Sequence, residues 1–135
     1  MKIAVIGAGG VGGYFGAKLA QAGYDVTLVA RGEHHNAIKS NGLVVKSILG
    51  NFTVKNINVT NSISNLNAPD LVILGVKAWQ VAEVAKELSA VVTPSTTVLP
   101  LQNGVLAAEE LCQHINPSNV IGGLCRIISK IDAPG

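Results

Sequence analysis

Charge is scarce in this chain of 135 residues. Only 13% of positions are Asp, Glu, Lys or Arg, ten basic against eight acidic, for a formal net charge of +2. The basic residues are scattered, which excludes a nucleic-acid stripe and a polybasic membrane patch. Aromatic residues are scarcer still, at 4%, with Trp79 the single tryptophan. The two cysteines, Cys112 and Cys125, form no CxxC and face no matching His pair. That argues against a zinc site or any other metal role and points to a reducing, cytoplasmic compartment. No run reaches the ~18 apolar residues of a membrane span. Acids are absent before Asp25, so Met1-Lys2 and the uncharged run to Ala17 have the outline of a secretory leader, with Ala20-Gln21-Ala22 as a cleavage site. Six glycines between Gly7 and Gly16 make a poor apolar helix, however, and a strand followed by a glycine turn fits better.

What is abundant is apolar sequence, 48% of the chain, enough for one buried core and a single domain over residues 1–135. "KIAVI" (Lys2 to Ile6) reads as a buried strand and Val11 to Ala22 as a helix, with Val11, Phe15 and Leu19 on one face and Gly23 closing it. "DVTLV" (Asp25 to Val29) is a second strand. Asn41 to Asn61 alternates in short pieces with a turn at Gly50-Asn51, as a hairpin would. "DLVILGV" (Asp70 to Val76) is a buried strand. Ala78 to Val92 is an amphipathic helix, Val81, Val84, Leu88 and Val91 inward against Gln80, Glu83 and Glu87 outward. "TTVLPLQ" (Thr96 to Gln102) is a further strand, weakened by Pro100, which lacks an N–H for the ladder. Val105 to His114 is a short helix, and "NVIGGL" (Asn119 to Leu124) opens a last strand. Alternation of this kind predicts an α/β fold of Rossmann type, a mostly parallel sheet covered by helices on both faces. No helix follows "KIDAPG" to finish the last unit, so the chain reads as cut there.

"IGAGGVG" places Gly7, Gly9 and Gly12 in GxGxxG spacing between a strand and a helix. In that context Gly7 permits a tight turn, Gly9 lets the backbone approach a pyrophosphate, and Gly12 lets helix and strand pack closely. Ala8, Gly10 and Val11 complete the cradle, and the helix start offers free N–H groups with no acid nearby. The bland alternative is a glycine turn kept for packing. Ligands in such sheets sit beyond the carboxyl ends of the strands, so Asp25, at a strand start, is at the wrong edge. Arg31 emerges at the end of the second strand, whereas Glu33 lies past Gly32. An Arg there pairs with the 2′-phosphate of NADPH, worth about 1.5–3 kcal/mol over NADH. The alternative leaves Arg31 in solvent and gives the ribose to Glu33.

Two more polar residues share that edge: Lys77 after "LVILGV" and Asn103 after "VLPLQ". Lysine would add charge near the phosphates or the reacting carbonyl, and asparagine a neutral donor and acceptor. Their plain readings are a solvated lysine and an Asn-Gly turn. Trp79 reads as packing rather than as a cofactor stacker, His34 and His35 as residues of a polar loop facing solvent, and His114 as a helix end suited to the dipole.

On these pieces the chain resembles the ketopantoate reductase (2-dehydropantoate 2-reductase) family. "IGAGGVGGYFGAKLAQAGYDVTLVARG", "VKAWQV", "LQNGV" followed by "EEL", and "IGG" match in family order. The resemblance implies NADPH-dependent reduction of the 2-keto acid ketopantoate to pantoate, in pantothenate and coenzyme A synthesis. It implies that Gly7 to Gly12 hold the pyrophosphate, Arg31 the 2′-phosphate, and Lys77 and Asn103 the cofactor and substrate cleft, with backbone near Ile128 touching the cofactor. It also implies that a general-acid Lys and an acidic partner belong to a C-terminal helical domain missing from this chain, and Lys130 is not placed to replace that lysine. Two other readings stay open. One is the cofactor domain of another NAD(P)-dependent dehydrogenase acting on a small hydroxy acid or sugar phosphate. The other is a non-catalytic NADPH-binding module. Neither nucleic acid nor membrane is expected as a partner, and assembly into a homo-oligomer stays open.

Overall fold

The computed structural model describes residues 1–135. In chain order it contains β1 (Lys2–Ile6), α1 (Gly10–Gln21), β2 (Asp25–Val29), α2 (Gly32–Asn41), β3 (Leu43–Val45), β4 (Phe52–Val54), β5 (Asn58–Thr60), β6 (Leu71–Leu74), α3 (Val81–Leu88), β7 (Thr97–Pro100) and α4 (Ala107–Cys112). Five strands form one parallel sheet in the order β5-β2-β1-β6-β7, and β3 and β4 pair as a separate antiparallel hairpin. The chain builds outward from β1 on one side and then returns to β1's other flank, so the strand order reverses between β1 and β6. In sheets of this kind ligands bind at the carboxyl edge beside such a reversal.

Alternation along β1 divides the core between the two faces. Ile3 and Val5 join Ala17 of α1, Ile38 of α2 and Leu43 and Val45 of the hairpin. Ala4 and Ile6 join Val81, Val84, Ala85 and Leu88 of α3 and Leu111 of α4. Both faces are therefore dry, and the strands read as continuous apolar runs. Helix α3 buries the inward set expected from its spacing, with Val91 packed at the margin of the same cluster.

Four expectations need correction. The stretch after Arg31 is not a polar loop but helix α2. Only Ile38 of it is fully buried, so it has no apolar stripe; Glu33 in its first turn and Lys39 in its last complement the dipole, and Gly42 (φ +83°) closes it. His34, on that helix, does not face solvent: its Nε2 donates to the Ala8 carbonyl (2.7 Å) and its Nδ1 accepts the Gly135 N–H (3.0 Å). Trp79 is not a packing residue, being 80% exposed in the 3-10 turn Ala78–Gln80 that leads directly into α3. Nor does Asn119 to Leu124 open a strand. Val120 makes one parallel bridge to Val98, with Ile121 N–H donating to the Val98 carbonyl (3.0 Å). The next rung would need an N–H from Pro100, which has none, and the ladder stops there.

Candidate nucleotide-binding site

The carboxyl ends of β2, β1, β6 and β7 bring Arg31, the Gly7–Gly12 loop, Lys77 and Asn103 to one edge in that spatial order. Neighbouring strands lie about 4.8 Å apart, so this row spans roughly 15 Å, a length suited to an extended dinucleotide. Asp25 sits opposite Lys2 at the other edge, as its place at the start of β2 requires.

The glycine loop is held from below. Gly7 and Ala8 donate their N–H groups to the Val29 carbonyl (3.1 and 3.3 Å), pinning the turn to the end of β2. Gly7 has φ +85°, where a side chain is strained. At Gly12 an added Cβ would overlap the Gly7 carbonyl oxygen and stand 3.1 Å from Val5 Cγ1, so α1 meets β1 with no room for a methyl group. Gly9 differs: as N-cap of α1 it has ordinary extended backbone, and a Cβ there would meet nothing within 4 Å. The first turn of α1 carries no acid. Open backbone at a helix start, beside a rigid turn, fits a pyrophosphate.

Gly10 is enclosed by the chain itself. The Ser129 hydroxyl donates to the Gly10 carbonyl, and the backbone of Ser129 and Lys130 lies where a Cβ on Gly10 would go. This contact brings the segment at Ile128 beside the loop, with the Ile128 side chain fully exposed.

Arg31 is the N-cap of α2, largely exposed, with its Nη2 3.7 Å from Glu87 Oε1 on α3. Glu33 lies exposed in the first turn of α2. Lys77 is exposed, and its N–H donates to Gln80 Oε1 (3.0 Å), which folds the chain into the turn carrying Trp79. Asn103 is exposed in the loop ahead of Gly104 (φ +99°). Three residues that bear on this edge escaped the sequence reading. Gly75 presses its backbone on Gly12 and Gly7, a lone glycine in an apolar run being the available sign. His34 ties α2 to the loop, and Gln102 is buried between the ends of β6 and β7. Two depressions of about 220 Å³ elsewhere on the surface, one at Thr93–Asn119 and one at Lys2–Pro69, lie at the opposite edge and do not border the loop.

A family model described as ketopantoate reductase PanE/ApbA matches residues 3–135. The chain belongs to that family. A curated relative named 2-dehydropantoate 2-reductase, from Nostoc sp., is 35% identical over 129 residues, covering 96% of this chain and 40% of that protein. The crystal structure of 2-dehydropantoate 2-reductase from Geobacter metallireducens superposes with a TM-score of 0.93 at 33% identity, over 100% of this chain and 44% of that one. A ternary structure of D-mandelate dehydrogenase with NADH and anilino(oxo)acetate gives 0.88 at 28%, over 99% of this chain and 44% of that one. The chain thus spans less than half the length of each. No helix is long and apolar enough to cross a membrane.

Proposed function

We propose that residues 1–135 are the N-terminal, NADPH-binding domain of a cytoplasmic two-domain oxidoreductase that reduces 2-dehydropantoate to pantoate in pantothenate and coenzyme A biosynthesis. The observation that carries this reading is the row Arg31, glycine loop, Lys77, Asn103 along one sheet edge, with open backbone at Gly9. When bound, the cofactor supplies the hydride. Gly7, Ala8, Gly9, Val11 and Gly12 hold its pyrophosphate, Arg31 clasps the 2′-phosphate, and backbone near Ile128 flanks the loop, where Gly10 is the packing partner. Lys77 places a cation beside the phosphates or the reacting carbonyl. Asn103 orients the cofactor or the 2-keto acid through its amide N–H donors and its carbonyl acceptor, and carries no acidic proton to give. The proton for the nascent alkoxide, a contribution of roughly 10²–10⁴-fold, comes from a lysine outside residues 1–135. On its own the chain should therefore bind nucleotide far better than it turns over substrate.

A second reading is favoured by the D-mandelate dehydrogenase likeness: NADH as cofactor and a different 2-keto acid as substrate. Calorimetric titration of the chain with NADPH and NADH, repeated on Arg31→Ala, separates the two. Preference for NADPH that vanishes in the variant supports the first. Equal affinities in the parent chain would transfer the ribose contact to Glu33 and favour the second.

A further inference from the structure

Gln102 is a polar side chain left only 8% exposed, just beyond β7. Its Nε2 donates to the Leu74 carbonyl (3.0 Å) and to the Val76 carbonyl (2.9 Å). With both hydrogens spent, the orientation of the amide is fixed, because the reversed amide would set its oxygen against two carbonyl oxygens. Oε1 is then buried with no hydrogen-bond partner. Leu or Met would fill the same volume without that unfavourable acceptor, so packing alone does not account for glutamine here.

The two carbonyls have different standing. Leu74 already accepts the Leu101 N–H (3.1 Å), so at this point Gln102 reinforces the last rung between β6 and β7. Val76 lies past the strand. Its Cγ1 stands 2.7 Å from the position of a Cβ on Gly7, and the backbone of Gly75 before it presses on Gly12. The carbonyl gripped by Gln102 therefore belongs to the residue that backs the glycine turn. Lys77 follows Val76 directly and Asn103 follows Gln102.

We infer that Gln102 is a positioning residue for the dinucleotide: one buried amide fixes the glycine loop, Lys77 and Asn103 relative to one another. This rests on the nucleotide reading above. Gln102→Met keeps the volume and removes both donors. Gln102→Glu sets an ionised carboxylate against the two carbonyls and recovers one donor when protonated. Thr96→Val is the control, because it removes a buried hydroxyl at the other end of β7, where Thr96 Oγ1 donates to the Pro69 carbonyl (2.7 Å).

The experiment is calorimetric titration of the parent chain and the variants with NADPH, each below its own melting transition, and a pH series with NADP⁺ for Gln102→Glu. Gln102→Met is expected to bind about tenfold more weakly while melting no lower than Thr96→Val, which keeps parental affinity. The affinity of Gln102→Glu relative to the parent should recover as pH falls from about 8 to about 5. Parental affinity in Gln102→Met would overturn the inference and leave the nucleotide reading standing. If Gln102→Met does not fold, the pH series decides, and a flat ratio would overturn the inference. Failure of the parent chain to bind would overturn the nucleotide reading and this one with it.

Discussion

Gly9→Ala separates the two reasons for which glycine occurs in the loop. At Gly9 the backbone is φ −72°, ψ −166°, and a methyl group would touch nothing within 4 Å. Restricting the unfolded chain favours Ala by about 0.4–1 kcal/mol, while Ala is the poorer N-cap by roughly 0.5–1 kcal/mol. These offset, and the melting temperature should move by no more than about 2 °C. Gly12→Ala is the contrast, since its methyl group would overlap the Gly7 carbonyl oxygen between two rigid backbones. That costs roughly 3 kcal/mol or more, enough to lower the transition by about 10 °C or to prevent folding. In the nucleotide reading the space outside Gly9 is where the pyrophosphate approaches, so Gly9→Ala should bind NADPH at least about tenfold more weakly, a loss of ~1.4 kcal/mol. Thermal melts and calorimetry on the two variants check both halves. Gly9→Ala that binds NADPH like the parent chain would refute the cradle, whatever its stability.

Glu87→Gln should raise NADPH affinity, by up to about fivefold, because it frees Arg31 from an exposed pair worth at most ~1 kcal/mol. NADH affinity, read in the same titration, should not move, and a parallel gain in both would count against Arg31 as the 2′-phosphate contact. Lys46 Nζ lies 2.6 Å from Asp132 Oδ2. That hydrogen bond holds the Asp132 carboxyl below its usual 3.8 and the Lys46 ammonium above its usual 10.5. A depressed acid stabilises above its unfolded pKa and loses this as pH falls through the folded value, and a raised base does the reverse at high pH. This exposed pair, one of several contacts that hold the segment ending in Gly135, should thus contribute through the neutral range and contribute less in acid. Its marker is exchange protection of the Val44 N–H, bonded to the Gly135 carbonyl (2.8 Å): the fall in protection from neutral to acid pH should be smaller in Lys46→Met than in the parent chain, and equal falls would contradict the pairing. Trp79, 80% exposed, should show hydrated emission and ready quenching by acrylamide, and a shielded emission would refute its placement.

The parts of this molecule legible in the sequence are those where one local pattern decides the outcome. β2 is bounded at Asp25 and Val29 because a stretch rich in β-branched residues sits between Gly23-Tyr24 and Arg31, and α1 because a glycine motif opens it and Gly23 follows it. The row of Arg31, Lys77 and Asn103 followed from strand ends alone, given a parallel sheet. Helix α2 was not legible, since its burial hangs on one residue, Ile38, and its other holds are tertiary, among them the bonds of His34 to Ala8 and Gly135. Gln102 was missed for the same reason. Its partners are the carbonyls of Leu74 and Val76, 28 and 26 residues away, and no local pattern records them.

Pro100 shows where the two levels meet. Read locally, it weakens the strand that contains it. In the sheet, β7 keeps its rungs to β6, where Leu101 donates in register to the Leu74 carbonyl, and the missing N–H faces the outer edge instead. The residue that seemed to threaten β7 therefore ends the sheet beyond it, after the single bridge at Val120. Released from the ladder, the chain crosses to the glycine loop and places Ser129 on Gly10. A donor absent at one strand edge thus helps to route residues 121–135 to the candidate site, and restoring it with Pro100→Val should lengthen the Val98–Val120 bridge, seen as new exchange protection at residue 100, while loosening the Ser129 contact. An unprotected amide at residue 100 would show that the route is set elsewhere, by the Gly123 backbone packed on the Pro100 carbonyl.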